Sequence, residues 1–286
     1  MSASPFTAEF PWPAPAKLNL FLHVVGRRPD GYHLLQTVFQ FLDFGDSLFF
    51  APRGDGQVRR TAGPDQIAPH EDLVVRAAEA LRGASGCNLG ADIRVDKRIP
   101  VGGGLGGGSS DAATTLVALN RLWNLGLTVD ELALLGLKLG ADVPVFVRGQ
   151  AAWAEGLGEK LRPIEPPEPW FLVVTPPLHV STGEIFNAPE LRRDSAPITL
   201  EDFQAGRARN DCEPVTCTRH PEVAAALAWV RGLGDGRMSG TGASVFVAFE
   251  ARATALAAAQ KVPAPWRHLV ARGLNRSPLA AIMRAR

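Results

Sequence analysis

A glycine run and two charged residues carry the chemistry legible in this chain. The run reads Pro100-Val101-Gly102-Gly103-Gly104-Leu105-Gly106-Gly107-Gly108-Ser109-Ser110-Asp111-Ala112-Ala113. Glycine loses more conformational freedom on folding than any other residue and brings no side chain to a core. So many together suit a backbone that must approach a ligand closely, its N–H groups unshielded by Cβ atoms. The run feeds a helix, because apolar residues recur at 112, 113, 116, 119, 122 and 123. Ser109 or Ser110 is the expected N-cap, with Asp111 in the first turn. Free amides and the positive end of the helix dipole favour an anion there, and phosphate is the anion that fits. The two charges are Lys17, at the head of an apolar strand, and Asp142, within Gly140-Ala141-Asp142-Val143-Pro144-Val145-Phe146. A carboxylate in apolar surroundings needs a partner or costs free energy. The sequence leaves open whether Asp142 is a cap or buried ion pair, or a general base beside the phosphate loop.

Other phosphate loops fit poorly. No Gly-Lys pair occurs, which excludes a Walker A loop. Gly102, Gly104 and Gly107 satisfy G-x-G-x-x-G, but Lys97-Arg98-Ile99-Pro100 separates the candidate strand 91–95 from the loop. The acids at the distance a dinucleotide fold requires, Asp130 and Glu131, open a helix capped by Thr128 rather than ending a strand. The protein-kinase triplet His-Arg-Asp is missing.

Three segments, in order along the chain, resemble the GHMP kinases, the superfamily of galactokinase, homoserine kinase and mevalonate kinase. They are Pro15-Ala16-Lys17-Leu18-Asn19-Leu20-Phe21-Leu22, the loop at 100–110, and Met238-Ser239-Gly240-Thr241-Gly242-Ala243-Ser244-Val245-Phe246. The resemblance implies an α+β fold of two domains, with ATP and the acceptor bound in the cleft between them. Arg28-Pro29-Asp30-Gly31-Tyr32-His33 and the Gly140–Phe146 segment are similar to one branch of that superfamily. For that branch the implied reaction passes the γ-phosphate of ATP, with Mg²⁺, to the 2-hydroxyl of a cytidine diphosphate-linked polyol of the non-mevalonate isoprenoid pathway.

Carried over position by position, the resemblance makes Asp142 the general base and Lys17 its partner. Pro100, Val101, Gly102, Gly103, Gly104, Leu105, Gly106, Gly107, Gly108, Ser109 and Ser110 would wrap the triphosphate, Ser110 offering its hydroxyl to Mg²⁺ or a phosphate oxygen. Lys97 would lie near the adenine and Asn19 would touch substrate. Tyr32 and His33 would sit on one side of the cytosine and Phe186 on the other. Gly240, Thr241 and Gly242 would close over the acceptor. The role of Asp111 stays open, since an acid at a phosphate site repels its ligand unless it turns away or meets a metal. Two alternatives differ in testable ways. A homoserine or mevalonate type of kinase would refuse a cytidine-bearing acceptor, and a non-catalytic nucleotide-binding module would need neither Lys17 nor Asp142.

The rest of the chain frames these segments. With 286 residues, 46% hydrophobic and 21% charged, it has the composition of a globular protein of one large or two ordinary domains. A net charge of +1 gives no field to attract nucleic acid or an anionic membrane. Cys212, Cys217 and His220 fall short of a four-ligand zinc set, and the cysteines read as small buried hydrophobes. Met1–Trp12 has neither a basic start nor an apolar run long enough for a signal peptide, so a cytoplasmic monomer or weak homodimer is expected. Strands are expected over 17–25 and within 34–50, the latter as strands or a strand and a short helix. Asp72 should cap a helix over 73–82. A proline-dense connector after 150 places the expected division at 1–158 and 159–286.

Overall fold

The computed structural model describes residues 8–64, 67–68 and 70–284; of the Met1–Trp12 segment, residues 1–7 lie outside the described residues. The first half runs β1 (Trp12–Arg27), β2 (His33–Arg53), β3 (Val58–Ala62), α1 (Leu73–Ser85), β4 (Gly90–Asp96), α2 (Gly107–Leu122), α3 (Val129–Leu137), α4 (Val143–Arg148), β5 (Ala152–Gly156) and β6 (Lys160–Pro163). The second half runs β7 (Trp170–Thr175), α5 (Thr182–Asn187), α6 (Leu200–Gln204), α7 (Glu213–Arg219) and α8 (Pro221–Arg231). It ends with β8 (Arg237–Met238), β9 (Val245–Phe249), α9 (Arg252–Ala259), β10 (Arg267–Leu274) and α10 (Pro278–Arg284).

The region expected as strands or a strand and helix is one strand of 21 residues, β2. It has so many partners because it is long: antiparallel β1, β4 and β5 pair along it, and β10 joins at Phe41 and Leu42. The sheet order β3-β4-β2-β10-β7-β9-β8 therefore crosses from one half to the other through β2. An Asp-Phe-Gly triplet, the spelling of a protein-kinase metal motif, does occur in mid-strand at 43–45. Its Asp43 is exposed and accepts the Arg272 amide at 2.6 Å, a structural contact.

β1 begins earlier than expected, taking in Pro13 and Pro15. Proline lacks the N–H a second ladder would need. None is needed at these positions, where β1 pairs with β2 on one side and α2 covers the other: the Ser110 and Thr114 hydroxyls donate to the Pro15 and Pro13 carbonyls at 2.7 and 3.1 Å. β1 also threads all the cores. Trp12 and Ala14 join the first, with Phe39, Phe41, Leu81, Leu116 and Val145. Leu18, Leu20 and Phe21 join a middle cluster with Phe171 and Phe246. Leu22 and Val24 join the second-half core with Leu172, Val223, Leu227 and Cys212, where burial pushes the Cys212 thiol up to about 12.

The helix caps explain two boundaries. Asp72 Oδ1 accepts the Val74 amide at 3.0 Å, and Thr128 and Glu131 form a reciprocal capping box at the start of α3. The expected division at 158/159 falls in the turn of the β5–β6 hairpin, and Leu279 of α10 packs back into the first core. Among the described residues, no helix is long and apolar enough to cross a membrane.

Candidate active site

Period-two alternation along β1 puts Lys17 and Asn19 on one face while Leu18 and Leu20 enter the middle core. Lys17 is 3% exposed, and its ammonium is fully engaged. It donates to Asn19 Oδ1 and to the Gly104 carbonyl at 3.2 Å, and stands 3.2 Å from Asp142 Oδ2. Asn19 is fixed in turn, donating from Nδ2 to the Thr37 hydroxyl at 3.0 Å and from its backbone to Ser239 Oγ at 3.1 Å. Asp142 is the residue before α4, whose Pro144 is compatible with a first turn that needs no N–H. Its carboxylate makes no cap hydrogen bond and is about one-third exposed, facing Lys17.

The glycine run is divided in its work. Gly102, Gly104 and Gly106 adopt φ of 72°, 73° and 74°, the left-handed region that side chains resist. Each is also boxed in. A Cβ would stand 1.8 Å from His179 Nδ1 at Gly102, 2.4 Å from the Ser239 carbonyl at Gly104, and 2.9 Å from Lys17 and Phe146 carbons at Gly106. Ser239 Oγ donates to the Gly104 carbonyl at 2.9 Å and the Ser244 amide donates to Gly103 at 3.1 Å, so the third motif holds the loop from one side and β1 from the other. The helix starts sooner than expected. Gly106 is the N-cap of α2, and Ser109 and Ser110 lie inside its first turn. The first closing bond runs from the Ser110 amide to the Gly106 carbonyl, which leaves the amides of 107–109 without intrahelical partners at a cavity of about 450 Å³.

That cavity is lined by Lys17, Asn19, Lys97, residues 100–109, Asp142, Phe186, Gly240 and Thr241. Four expected residues do not line it: Ser110, Gly242, Tyr32 and His33. Ser110 is fully buried with its hydroxyl committed to Pro15, because two residues further along the helix turns it toward β1. Gly242 backs onto Met238 and Thr216 instead. Tyr32 and His33 line a second cavity of about 640 Å³, which shares Leu35, Ala141, Leu157 and Phe186 with the first. Tyr32 is 63% exposed. His33 and Phe186 do not flank an open slot as expected. Their rings stack on each other, centroids 5.1 Å apart at 26°, too close for a base to enter between them.

Lys97 lies in the wall below the first turn of α2, bridging Asp46 Oδ2 at 2.7 Å and Asp111 Oδ2 at 2.6 Å. Asp46 Oδ1 also accepts the Arg98 and Ile99 amides, tying the segment before the loop to β2. Burial pushes the Asp111 carboxyl up to about 7, with Lys97 pulling it down and Asp46 pushing it further up. Its Oδ1 has no hydrogen-bond partner. Sequence reasoning missed Asp46, Ser239, His179 and Arg193. Asp46 carried a signal, an acid in a run of Phe, Leu and Val, and Ser239 lay within the third family-like segment.

Among the described residues, no three His, Cys, Asp or Glu side chains converge on a metal position. Asp142, about one-third exposed at the cavity, is a carboxylate donor of the type that accompanies phosphate oxygens around Mg²⁺.

The GHMP kinases N terminal domain matches residues 72–150 and the GHMP kinases C terminal domain matches residues 190–268. This chain is a member of the GHMP kinases. Its relatives include the 4-diphosphocytidyl-2-C-methyl-D-erythritol kinases of Alkalilimnicola ehrlichii, 59% identical over 96% of this chain and 94% of that protein, and of Nitrosococcus oceani, 55% identical over 94% and 96%. A crystal structure of 4-(cytidine 5'-diphospho)-2C-methyl-D-erythritol kinase superposes with a TM-score of 0.80 at 36% identity, covering 92% of this chain and 99% of that one. A mevalonate kinase structure, 16% identical with a TM-score of 0.68 over 94% and 100%, shares the fold.

Proposed function

We infer that this chain is an ATP-dependent kinase that phosphorylates the 2-hydroxyl of 4-diphosphocytidyl-2-C-methyl-D-erythritol. The observation that carries the chemistry is the Lys17–Asp142 pair, 3.2 Å apart, at the edge of the glycine loop. The relatives' printed activity carries the choice of acceptor.

Asp142 is the proposed base. An alcohol whose pKa is far above 7 gives up its proton late in the transfer, so the base need only stand within hydrogen-bond reach. The acceptor oxygen then bonds to the γ-phosphorus as the bond to the β-phosphate bridging oxygen breaks, and ADP leaves. Lys17 offsets negative charge spreading over the transferring group. Held by Asn19 and Gly104, it needs no rearrangement at that moment. The free amides at 107–109 and the loop backbone would hold the triphosphate. Mg²⁺ would supply charge neutralisation on the phosphates, and Asp142 is a cavity carboxylate that could hold it. The proposal includes action in the cytoplasm, where ATP is supplied, by a monomer or weak homodimer.

The test is ADP release by the purified protein with ATP, Mg²⁺ and this acceptor, beside Asp142→Asn. Acceptor-dependent release that falls about 10²- to 10⁴-fold in the variant supports substrate and base together. Turnover that survives in the variant removes Asp142 from the chemistry, and no turnover in the wild type sinks the acceptor.

A further inference from the structure

Neither the phosphate loop nor the Lys17–Asp142 pair accounts for Arg193. It stands in the irregular stretch between α5 and α6, yet its guanidinium is bonded on every side. Nε donates to His33 Nε2 at 3.0 Å, Nη2 to the carbonyls of Phe186 and Ala188 at 3.0 and 2.6 Å, and Nη1 to the Leu191 carbonyl at 2.9 Å. One side chain therefore joins the start of β2 to the end of α5 and holds the two stacked rings as a unit. A guanidinium has donors only and stays protonated in proteins, so the nitrogen it meets must present a lone pair. With Nε2 bare, the neutral His33 ring carries its single proton on Nδ1. Burial, then the charges of Arg193 and Arg27, lowers the His33 pKa and keeps the ring neutral.

We propose that Arg193 is a positioning residue that fixes His33 as an Nδ1–H donor, and that this selects a pyrimidine with a lone pair at N3 over one with N3–H. The proposal rests on the cytidine-bearing acceptor inferred above. Cytosine offers lone pairs at both N3 and O2. Uracil carries a proton at N3, which would meet His33 donor to donor, and a buried polar pair left unmatched is what makes such discrimination steep. The other tautomer would turn a lone pair of Nδ1 toward the base and reverse the preference. Arg193 removes that tautomer. Since the same guanidinium holds the Phe186 carbonyl, the donor and the neighbouring aromatic face keep a fixed relation.

The experiment joins a spectrum to kinetics. Long-range ¹H–¹⁵N correlation of the histidine rings would be recorded for the wild type, Arg193→Met and Arg193→Lys, with His33→Asn assigning the signal. Steady-state kinetics would use the cytidine diphosphate-linked acceptor and its uridine counterpart. The wild type should show His33 protonated on Nδ1 alone. In Arg193→Met the ring should shift toward the Nε2–H form or an average of the two. KM for the cytidine acceptor should rise about tenfold with kcat within about twofold, and the cytidine-over-uridine ratio should fall about tenfold. Arg193→Lys, with the charge but not the planar fork, should fall between and serves where Arg193→Met does not fold. An unchanged His33 tautomer in the variants overturns the proposal. So does a raised KM that leaves the base ratio untouched, which reduces Arg193 to a brace. If the wild type phosphorylates neither acceptor, the functional reading has failed, while the spectra still decide the Arg193–His33 coupling.

Discussion

Gly104→Ala should abolish most of the activity, for reasons that can be worked out atom by atom. Gly104 has φ of 73°, and a Cβ there would stand 2.4 Å from the Ser239 carbonyl and 2.8 Å from the Gly242 carbonyl. Both obstacles are backbone, so neither can swing aside. Ordinary contact requires the glycine loop and the third motif to separate by about 1 Å, a displacement of the size that costs on the order of 100-fold in rate when it misplaces reacting groups. The Gly104 carbonyl also receives Lys17 Nζ and Ser239 Oγ, so the shift reaches the proposed catalytic lysine directly. The left-handed backbone adds about 1–2 kcal/mol and overpacking about 1–3 kcal/mol, which lowers Tm by about 5–10 °C for a chain of this size. Gly108→Ala is the matched control. Gly108 is exposed inside α2, and a Cβ would meet only Leu73 Cδ1, at 3.3 Å. Its Tm should stay within about 1–2 °C of the wild type, and any loss should appear as a raised KM for ATP. Coupled ADP-release kinetics and thermal melts on both variants decide the matter. A Gly104→Ala enzyme within about threefold of wild-type kcat/KM, or a Gly108→Ala protein equally destabilised, would refute the reasoning.

Other perturbations read different parts of the molecule. Lys17→Met should lower kcat about 10²- to 10³-fold in single-turnover phosphoryl transfer, with ATP still bound; a rate near wild type would remove Lys17 from the transfer step. Asp111→Asn should remove a pH dependence. A carboxyl whose folded pKa is raised from 3.8 to about 7 stabilises fully below the lower value and loses that contribution as pH rises through the upper one. The Tm of Asp111→Asn relative to wild type should therefore climb between pH 5 and pH 8, and a constant difference would contradict the buried carboxyl's raised pKa. Gly83→Ala, on the exposed side of α1 with nothing within 4 Å of the new methyl, should gain about 0.5–1 kcal/mol in denaturant melts. A loss there would mean that α1 is strained at that turn.

The sequence was most readable where chemistry or a cap restricts residue type. Glycines beside a helix start, a lysine and an acid in apolar company, and Asp72 and Thr128 as caps all announced themselves, and the structure brings Lys17, the loop and Asp142 to one cavity. The length of β2 was hidden because Asp43-Phe44-Gly45-Asp46 in its middle reads as a turn, whereas Gly45 is there to let β1 pass, a Cβ standing 2.3 Å from the Ala14 carbonyl. The start of α2 was misjudged because serine is the better side-chain cap, whereas here glycine caps through backbone conformation alone. The ring pair was misjudged because its geometry depends on Arg193, distant from His33 along the chain. Nothing local to Tyr32-His33 or to Ile185-Phe186 records that tether.

The return of α10 to the first core bears on how this chain matures during synthesis. Elongation proceeds at about 5–20 residues per second, and N-terminal regions ordinarily fold as they emerge. Here the pocket that receives Leu279 stays open until the whole second half has been made, as does the β2 edge that β10 occupies at Phe41 and Leu42. The nascent first half must therefore wait with apolar surface and an unpaired strand edge exposed, the two features that recruit holdase chaperones or invite misassembly. Completion of the fold is a late, long-range closure, so the protein commits to its native state only when both halves are present.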